Sequence, residues 1–234
     1  MKKLDKIYEG KAKILYTTED PDLLIQYFKD DATAFNAQKR GVISEKGIMN
    51  NRIAAKIFEH LKTKGIETHY VECLSDREML IKRVEIIPLE IIIRNRAAGS
   101  MCRLLGLSEG ANLACPTIEY CYKNDGLGDP QINEYYIRAL QFATDKEVGH
   151  ITAMAFKIND LLKKFFFNLK IELIDFKIEF GRVQNRIILA DEISPDTCRL
   201  WEVGTGNKLD KDRFRRDLGN IEEAYQEVLR RVSA

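Results

Sequence analysis

The chain has 234 residues, enough for one large domain or two small ones, and its 45% hydrophobic and 31% charged content is ordinary for a globular protein. A formal net charge of +1 excludes a whole-molecule field that draws nucleic acid or a membrane surface, so any anion has to be held by a local group of cations. No run approaches the ~20 apolar residues of a membrane span, and the basic N-terminus, MKKLDKIYEGKAKIL, has no continuous apolar core and does not read as a signal peptide.

Five cysteines (Cys73, Cys102, Cys115, Cys121, Cys198) are scattered without a C-x-x-C pair. An odd count in a chain of this size predicts reduced thiols in a cytoplasmic protein. The three histidines, His60, His69 and His150, lie far apart in sequence, so a His-based metal site is possible only through long-range folding.

In chain order, residues 6–16 and 22–29 read as two strands joined by the turn chemistry of TTEDPD. Within the first, YEGKAK at 8–13 places Gly10 in a strand with Lys11 and Lys13 on one face. That suits a phosphate approaching the backbone, and it equally suits an exposed basic strand; no Walker A sequence occurs anywhere in the chain. Met49, Ile53, Ile57 and Leu61 recur every four residues, one face of a helix stopped by Gly65. Strands near 69–74 and 78–84 follow. The first 84 residues therefore read as a small mixed sheet with a helix against it.

Residues 85–100, EIIPLEIIIRNRAAGS, cross into a second region, with Pro88 interrupting the strand pattern as a hinge or an edge. Arg94 offers a planar fork for phosphate or carboxylate, and Ser100 reads as the N-cap of a short helix. An ordinary cap flanked by surface arginines explains the same residues. Residues 110–133 read as loop-rich. Thr144 and Glu147 form a capping box, and the helix they open carries Val148, Ile151, Met154, Ile158, Leu161, Phe165 and Leu169 at three- and four-residue spacing. Residues 204–208, GTGNK, read as a turn, and a last helix is predicted over about 210–232, with Phe214, Leu218, Ile221, Tyr225 and Val228 on one face. Strands grouped early and helices late predict an α+β fold.

Chemistry concentrates in LIDFKIEFG, residues 173–181. Asp175, Lys177 and Glu179 share one face of a strand; Ile174, Phe176, Ile178 and Phe180 share the other. The strand 187–191 can return antiparallel. If Glu179 sits opposite Asp191, two carboxylates lie ~5 Å apart, and a one-residue slip turns Asp191 away. One explanation is a solvated face with Lys177 bridging two acids. The other is a Mg²⁺–phosphate site, because adjacent carboxylates repel unless a cation lies between them.

Two long segments, IIPLEIIIRNRAAGS and LIDFKIEFG, resemble the signature segments of the SAICAR synthetase family. YEGKAK, DATAFNAQ, KGIMNN, KNDGLGDP, DEISPDTCRLW and DKDRFRRDLG are similar to further segments of that family, in the same order, so the resemblance covers essentially the whole chain. It implies a two-lobed fold: an N-terminal antiparallel-sheet, kinase-like ATP lobe (1–84) and a C-terminal ATP-grasp-like lobe (85–234), with the active site in the cleft. It implies a ligase that joins the carboxylate of carboxyaminoimidazole ribotide to the amine of L-aspartate, with ATP and Mg²⁺, as a cytoplasmic homodimer binding neither nucleic acid nor membrane. Carried over by position, Lys11 and Lys13, with Gly10 and Ala12 beside them, would contact the ATP phosphates. Lys82 and Val84 would meet the adenine through backbone. Glu179 and Asp191 would hold Mg²⁺, and Arg94, Ser100 and Arg199 would clamp the ribotide phosphate. Asp175 and Lys177 would face the imidazole amine and its carboxylate. Lys123 and Asp129 would cover that pocket, and Asn36 would add a substrate contact. The chemistry expected is an acyl phosphate route. The rival readings are a small-molecule kinase without amide formation and a nucleotide-binding scaffold without turnover.

Overall fold

The computed structural model describes residues 1–34 and 38–234. β1 (Lys3–Glu9), β2 (Lys13–Thr18) and β3 (Leu23–Phe28) lead to a small hairpin, β4 (Asp31–Ala34) and β5 (Lys39–Val42). α1 (Lys46–Thr63), β6 (Tyr70–Cys73) and β7 (Glu78–Lys82) follow. The expected single strand over 6–16 is thus a hairpin, and Gly10 lies in its turn, where its N–H donates to the Lys13 carbonyl at 2.8 Å. The sheet order is β1-β2-β3-β7-β6, and every pairing is antiparallel, not mixed. α1 packs on β3, β6 and β7. Met49, Ile53, Ile57 and Leu61 are all buried on that face, and the left-handed Gly65 ends the run.

After a two-residue link come β8 (Glu85–Arg96), α2 (Ser100–Leu105), β9 (Asn112–Tyr122), a 3₁₀ turn (Asp125–Leu127), β10 (Gln131–Ile132) and α3 (Glu134–Ala139). Then come α4 (Asp145–Asn168), β11 (Ile171–Val183), β12 (Arg186–Ala190), β13 (Cys198–Glu202), α5 (Asp212–Arg215) and α6 (Ile221–Val232). β10-β9-β8-β11-β12 form the second sheet, with β13 also pairing β11. β11 is its spine, because β8 runs along one edge while β13 and β12 share the other. Ile174, Phe176 and Ile178 are 0% exposed; side chains of this size stabilise by ~1.5–3 kcal/mol each when fully buried. α4 covers β11 and β8, and its capping box is present as expected.

Several expectations change. Pro88 is neither hinge nor edge; it lies inside β8 at a register shift against β11. β9 replaces much of the loop-rich reading of 110–133; its Pro116 sits in the irregular stretch between the Arg94 and Arg96 pairings. Proline cannot donate to a ladder, so it marks bulges when it occurs inside a sheet. The last helix is broken: Asp217, Gly219 and Asn220 have positive φ, and Leu218 is exposed. α6 then packs on α1, bringing the C-terminus back to the first sheet. One buried apolar cluster runs continuously from Leu24 and Phe28 through α1 to Phe176 and Ile178. Residues 67–69 also tie the sheets: the His69 N–H donates to Leu189 O of β12 at 2.8 Å, and His69 O accepts from the Lys82 N–H at 2.7 Å.

Candidate active site

Register decides which charges meet. On β11, Asp175 lies opposite Arg94 of β8 on one side and Arg199 of β13 on the other. Arg94 and Arg199 both donate to Asp175 Oδ2, Arg199 at 2.8 Å. Arg94 also forks onto Glu119, at 2.5 and 3.0 Å, and donates to Ser100 Oγ at 2.8 Å. Ser100 is therefore not the N-cap of α2; Gly99 is, with φ 58°, and no side chain caps this end. Gly99 has a backbone (φ 58°, ψ −129°) that L side chains rarely adopt, and a Cβ there would meet the Arg199 guanidinium at 2.7 Å, so glycine lets the arginine lie close. Asp212, fully buried, accepts from Arg199 Nε at 3.0 Å and from Arg215 at 2.6 Å. Arg94, Ser100, Asp175, Lys177, Arg199 and Arg215 line a pocket of about 230 Å³.

Lys177 leads into a larger cleft of about 590 Å³, which shares Lys177, Asp196, Thr197 and Arg215 with that pocket. Gly10, Lys11, Ala12 and Lys13 line it from the β1–β2 turn; Lys82 and Val84 line it from the link between the sheets; Lys123, Asp129, Glu179 and Asp191 line it from the second sheet. The sequence-derived candidates thus converge on two joined cavities, except Asn36, which lies outside the described residues. A still larger cavity, about 850 Å³, lies between residues 65–67, α4 and the β11–β12 hairpin. It contains none of these residues, and its two arginines are already paired with glutamates.

The expected facing of Glu179 and Asp191 does not hold, since Ala190 is opposite Glu179. Asp191 follows the end of β12 with φ 63°, and this left-handed turn lets its side chain bond Lys13. The carboxylate directly across from Glu179 is Glu90 of β8. Lys177 lies between them, at 2.5 Å from Glu90 and 3.2 Å from Glu179, and Lys123 reaches Glu179 at 2.7 Å. Lys11 bonds Asp125 at 2.6 Å, and Asp129 accepts from the Asn124 N–H at 2.9 Å, folding the 123–130 loop over the cleft.

Burial alone pushes the Asp191 carboxyl up, but Lys13, Lys177 and Lys123 more than offset this and hold it well below the carboxylate range. Burial opposes the charge on Lys177 too, yet Glu179, Asp191 and Glu90 raise it. Glu192, beside Asp191, is raised by burial, and its Oε2 has no hydrogen-bond partner among the described residues. Asp196 accepts from the buried Lys46 at 2.7 Å and from Tyr225 at 2.6 Å, and burial lowers Lys211 next to it. Among the described residues no group of three or more His, Cys, Asp or Glu side chains forms a cage. The donor set suits a hard cation held by one or two carboxylates whose remaining ligands are substrate oxygens.

Sequence reading missed Glu90, Glu119, Glu192, Asp196, Lys211, Asp212 and Arg215 as members of this network. Glu90 lies four residues before Arg94, and an antiparallel pairing of the two signature strands would have placed it opposite Glu179. The others depend on contacts between distant segments.

Fold and site define a class first: an α+β protein with two joined cavities lined by lysines, arginines and carboxylates. A family model described as SAICAR synthetase matches residues 6–232. The phosphoribosylaminoimidazole-succinocarboxamide synthase of Caldanaerobacter subterraneus subsp. tengcongensis is 59% identical over 232 residues, covering 99% of both chains. The crystal structure of the synthase of that name from Ehrlichia chaffeensis has a TM-score of 0.96 at 47% identity, covering 98% of this chain and 99% of that one. A SAICAR synthetase in complex with ADP has a TM-score of 0.94 at 43% identity, covering 97% of each chain. The chain belongs to the SAICAR synthetase family.

Proposed function

We propose that the chain is an ATP-dependent ligase of purine biosynthesis, joining the carboxylate of carboxyaminoimidazole ribotide to the amine of L-aspartate and splitting ATP to ADP and phosphate. The observation that carries this reading is the pair of joined cavities sharing Lys177. One has the size and cations for a nucleotide; the other is an arginine clamp for a second phosphate. The chain is read as two lobes, 1–84 and 85–234, kinase-like and ATP-grasp-like, acting as a homodimer in the cytoplasm.

A carboxylate is a poor electrophile. The route is transfer of the γ-phosphoryl to a ribotide carboxylate oxygen, giving ADP and an acyl phosphate. The aspartate amine then attacks the acyl carbon, phosphate leaves with the C–O electron pair, and the amine sheds a proton. Such a reaction needs positioning and charge neutralisation more than covalent help. Lys11 and Lys13 take the nucleotide phosphates, and the backbone at Lys82 and Val84 takes the base. Arg94, Ser100 and Arg199 clamp the ribotide phosphate, while Asp175 and Lys177 orient its amine and carboxylate under Lys123 and Asp129. Glu179 and Asp191 would hold Mg²⁺, which when bound screens charge on phosphate oxygens. Asn36 completes the set as a substrate contact.

The test is ADP release with ATP, Mg²⁺ and the ribotide, with and without L-aspartate. Release that requires every component, with succinocarboxamide formed, supports the ligase; release without aspartate indicates a kinase; no release leaves a nucleotide-binding fold.

A further inference from the structure

His69 has no role in the chemistry above. It is 2% exposed, and neither ring nitrogen has a hydrogen-bond partner among the described residues. Buried polar atoms are satisfied in roughly nine cases in ten or more, so two orphans on one ring call for an explanation. His69 is among the residues that line the cleft, and its ring stands edge-on to Phe58 at 5.4 Å. Its backbone is fixed from both sides, by Leu189 and by Lys82. The same cleft is lined by the apolar Leu15, Leu24, Ile81, Val84 and Ile86 and by the charged Lys13, Lys82 and Asp191, whose fields reach the ring. Burial pushes the imidazole down to about 3, so it is neutral, with one donor and one acceptor nitrogen.

We propose that His69 is a nucleotide-positioning residue, hydrogen-bonding the nucleoside part of the bound nucleotide between the apolar slot and Lys13. This rests on the cleft being the nucleotide site. Ring and slot together then read a nucleoside, while the lysines read only its phosphates.

The experiment is calorimetric titration of the full chain with Mg·ADP and, separately, with Mg·pyrophosphate, for wild type, His69→Leu and His69→Asn. We expect His69→Leu to weaken ADP about tenfold, the effect of one lost hydrogen bond to a buried partner, with pyrophosphate unchanged and His69→Asn close to wild type. The melting temperature without nucleotide should hold or rise in His69→Leu, because an unpaired polar ring leaves the interior. A fall in that temperature with unchanged ADP affinity would make the ring structural and overturn the proposal, as would equal weakening of ADP and pyrophosphate. Should His69→Leu not fold, the wild-type imidazole ¹⁵N resonances decide: a shift on adding ADP supports the contact, and none overturns it. Wild type that fails to bind ADP would instead overturn the reading of the cleft.

Discussion

At the scale of single residues, the site is a set of charges that neutralise one another. Lys13 pairs with Asp191, Lys123 with Glu179 and Lys177 with Glu90; on the proposed function, substrate phosphates would compete for these lysines. Asp191→Asn keeps the shape but removes the charge that balances three lysines. We expect turnover to fall about 10²–10³-fold at saturating Mg²⁺, with an unchanged circular dichroism spectrum; near-normal rates would remove Asp191 from the metal role. Arg94→Ala would strand the buried carboxylate of Glu119 and leave Asp175 to Arg199 alone, a destabilisation of ~3–5 kcal/mol, so the conservative variant is more informative. Arg94→Lys keeps the charge and loses the fork. It should raise the KM for ribotide about tenfold and leave the KM for ATP alone, and an effect confined to ATP would show that the two pockets are assigned the wrong way round.

At the scale of elements, β11 couples the two cavities. Its charged face supplies Asp175, Lys177 and Glu179, and its apolar face anchors it beneath α4. Near its end, Gly181 lies against the link between the sheets: a Cβ there would meet Val84 Cγ2 at 2.4 Å and its Cβ at 2.7 Å. Valine is stiff about χ1, so the contact has no flexible tip to move aside. Gly181→Ala should therefore displace Val84, raise the KM for ATP several-fold and cost ~1–3 kcal/mol of stability. Steady-state kinetics and denaturant midpoints check this, and a KM for ATP equal to wild type would show that Val84 does not shape the nucleotide site.

At the scale of the whole molecule, α6 returning to α1 and the continuous core bind the proposed lobes into one folding unit. Acid should undo that unit through carboxylates whose folded pKa is depressed. Arg182, with help from Thr144, holds Glu147 down from 4.5 to about 2. A depressed folded pKa means stability present above the unfolded value and lost as pH falls through the folded one. Glu147 therefore contributes fully above about pH 4.5 and loses its contribution towards pH 2. Buried Asp212, held at about 2 by Arg199 and Arg215 against the effect of burial, acts in the same direction. We expect the wild-type melting temperature to fall over this window and Glu147→Gln to show a shallower fall; parallel curves would mean that the Arg182 pair contributes nothing.

By itself the sequence determined the α+β class, the amphipathic helices, the capping box of α4 and the charged face of β11, because these follow from local periodicity and from hydrogen bonds between near neighbours. The family resemblance, not periodicity, supplied candidates such as Lys82, Val84, Lys123 and Asp129, which do line the larger cavity. Tertiary structure alone decided which charge meets which. Whether Glu179 faces Asp191 or Glu90 depends on a one-residue register and on the left-handed backbone at Asp191, neither of which has a periodic signature. The breaks at Pro88 and Pro116 and the unwound stretch before α6 likewise depended on how the chain is held at both ends. So did the buried ties of Asp196, Asp212 and His69, whose partners lie up to 150 residues away, as Lys46 does from Asp196. Charge pairing inside a fold is set by distance in space, which spacing along the chain does not encode.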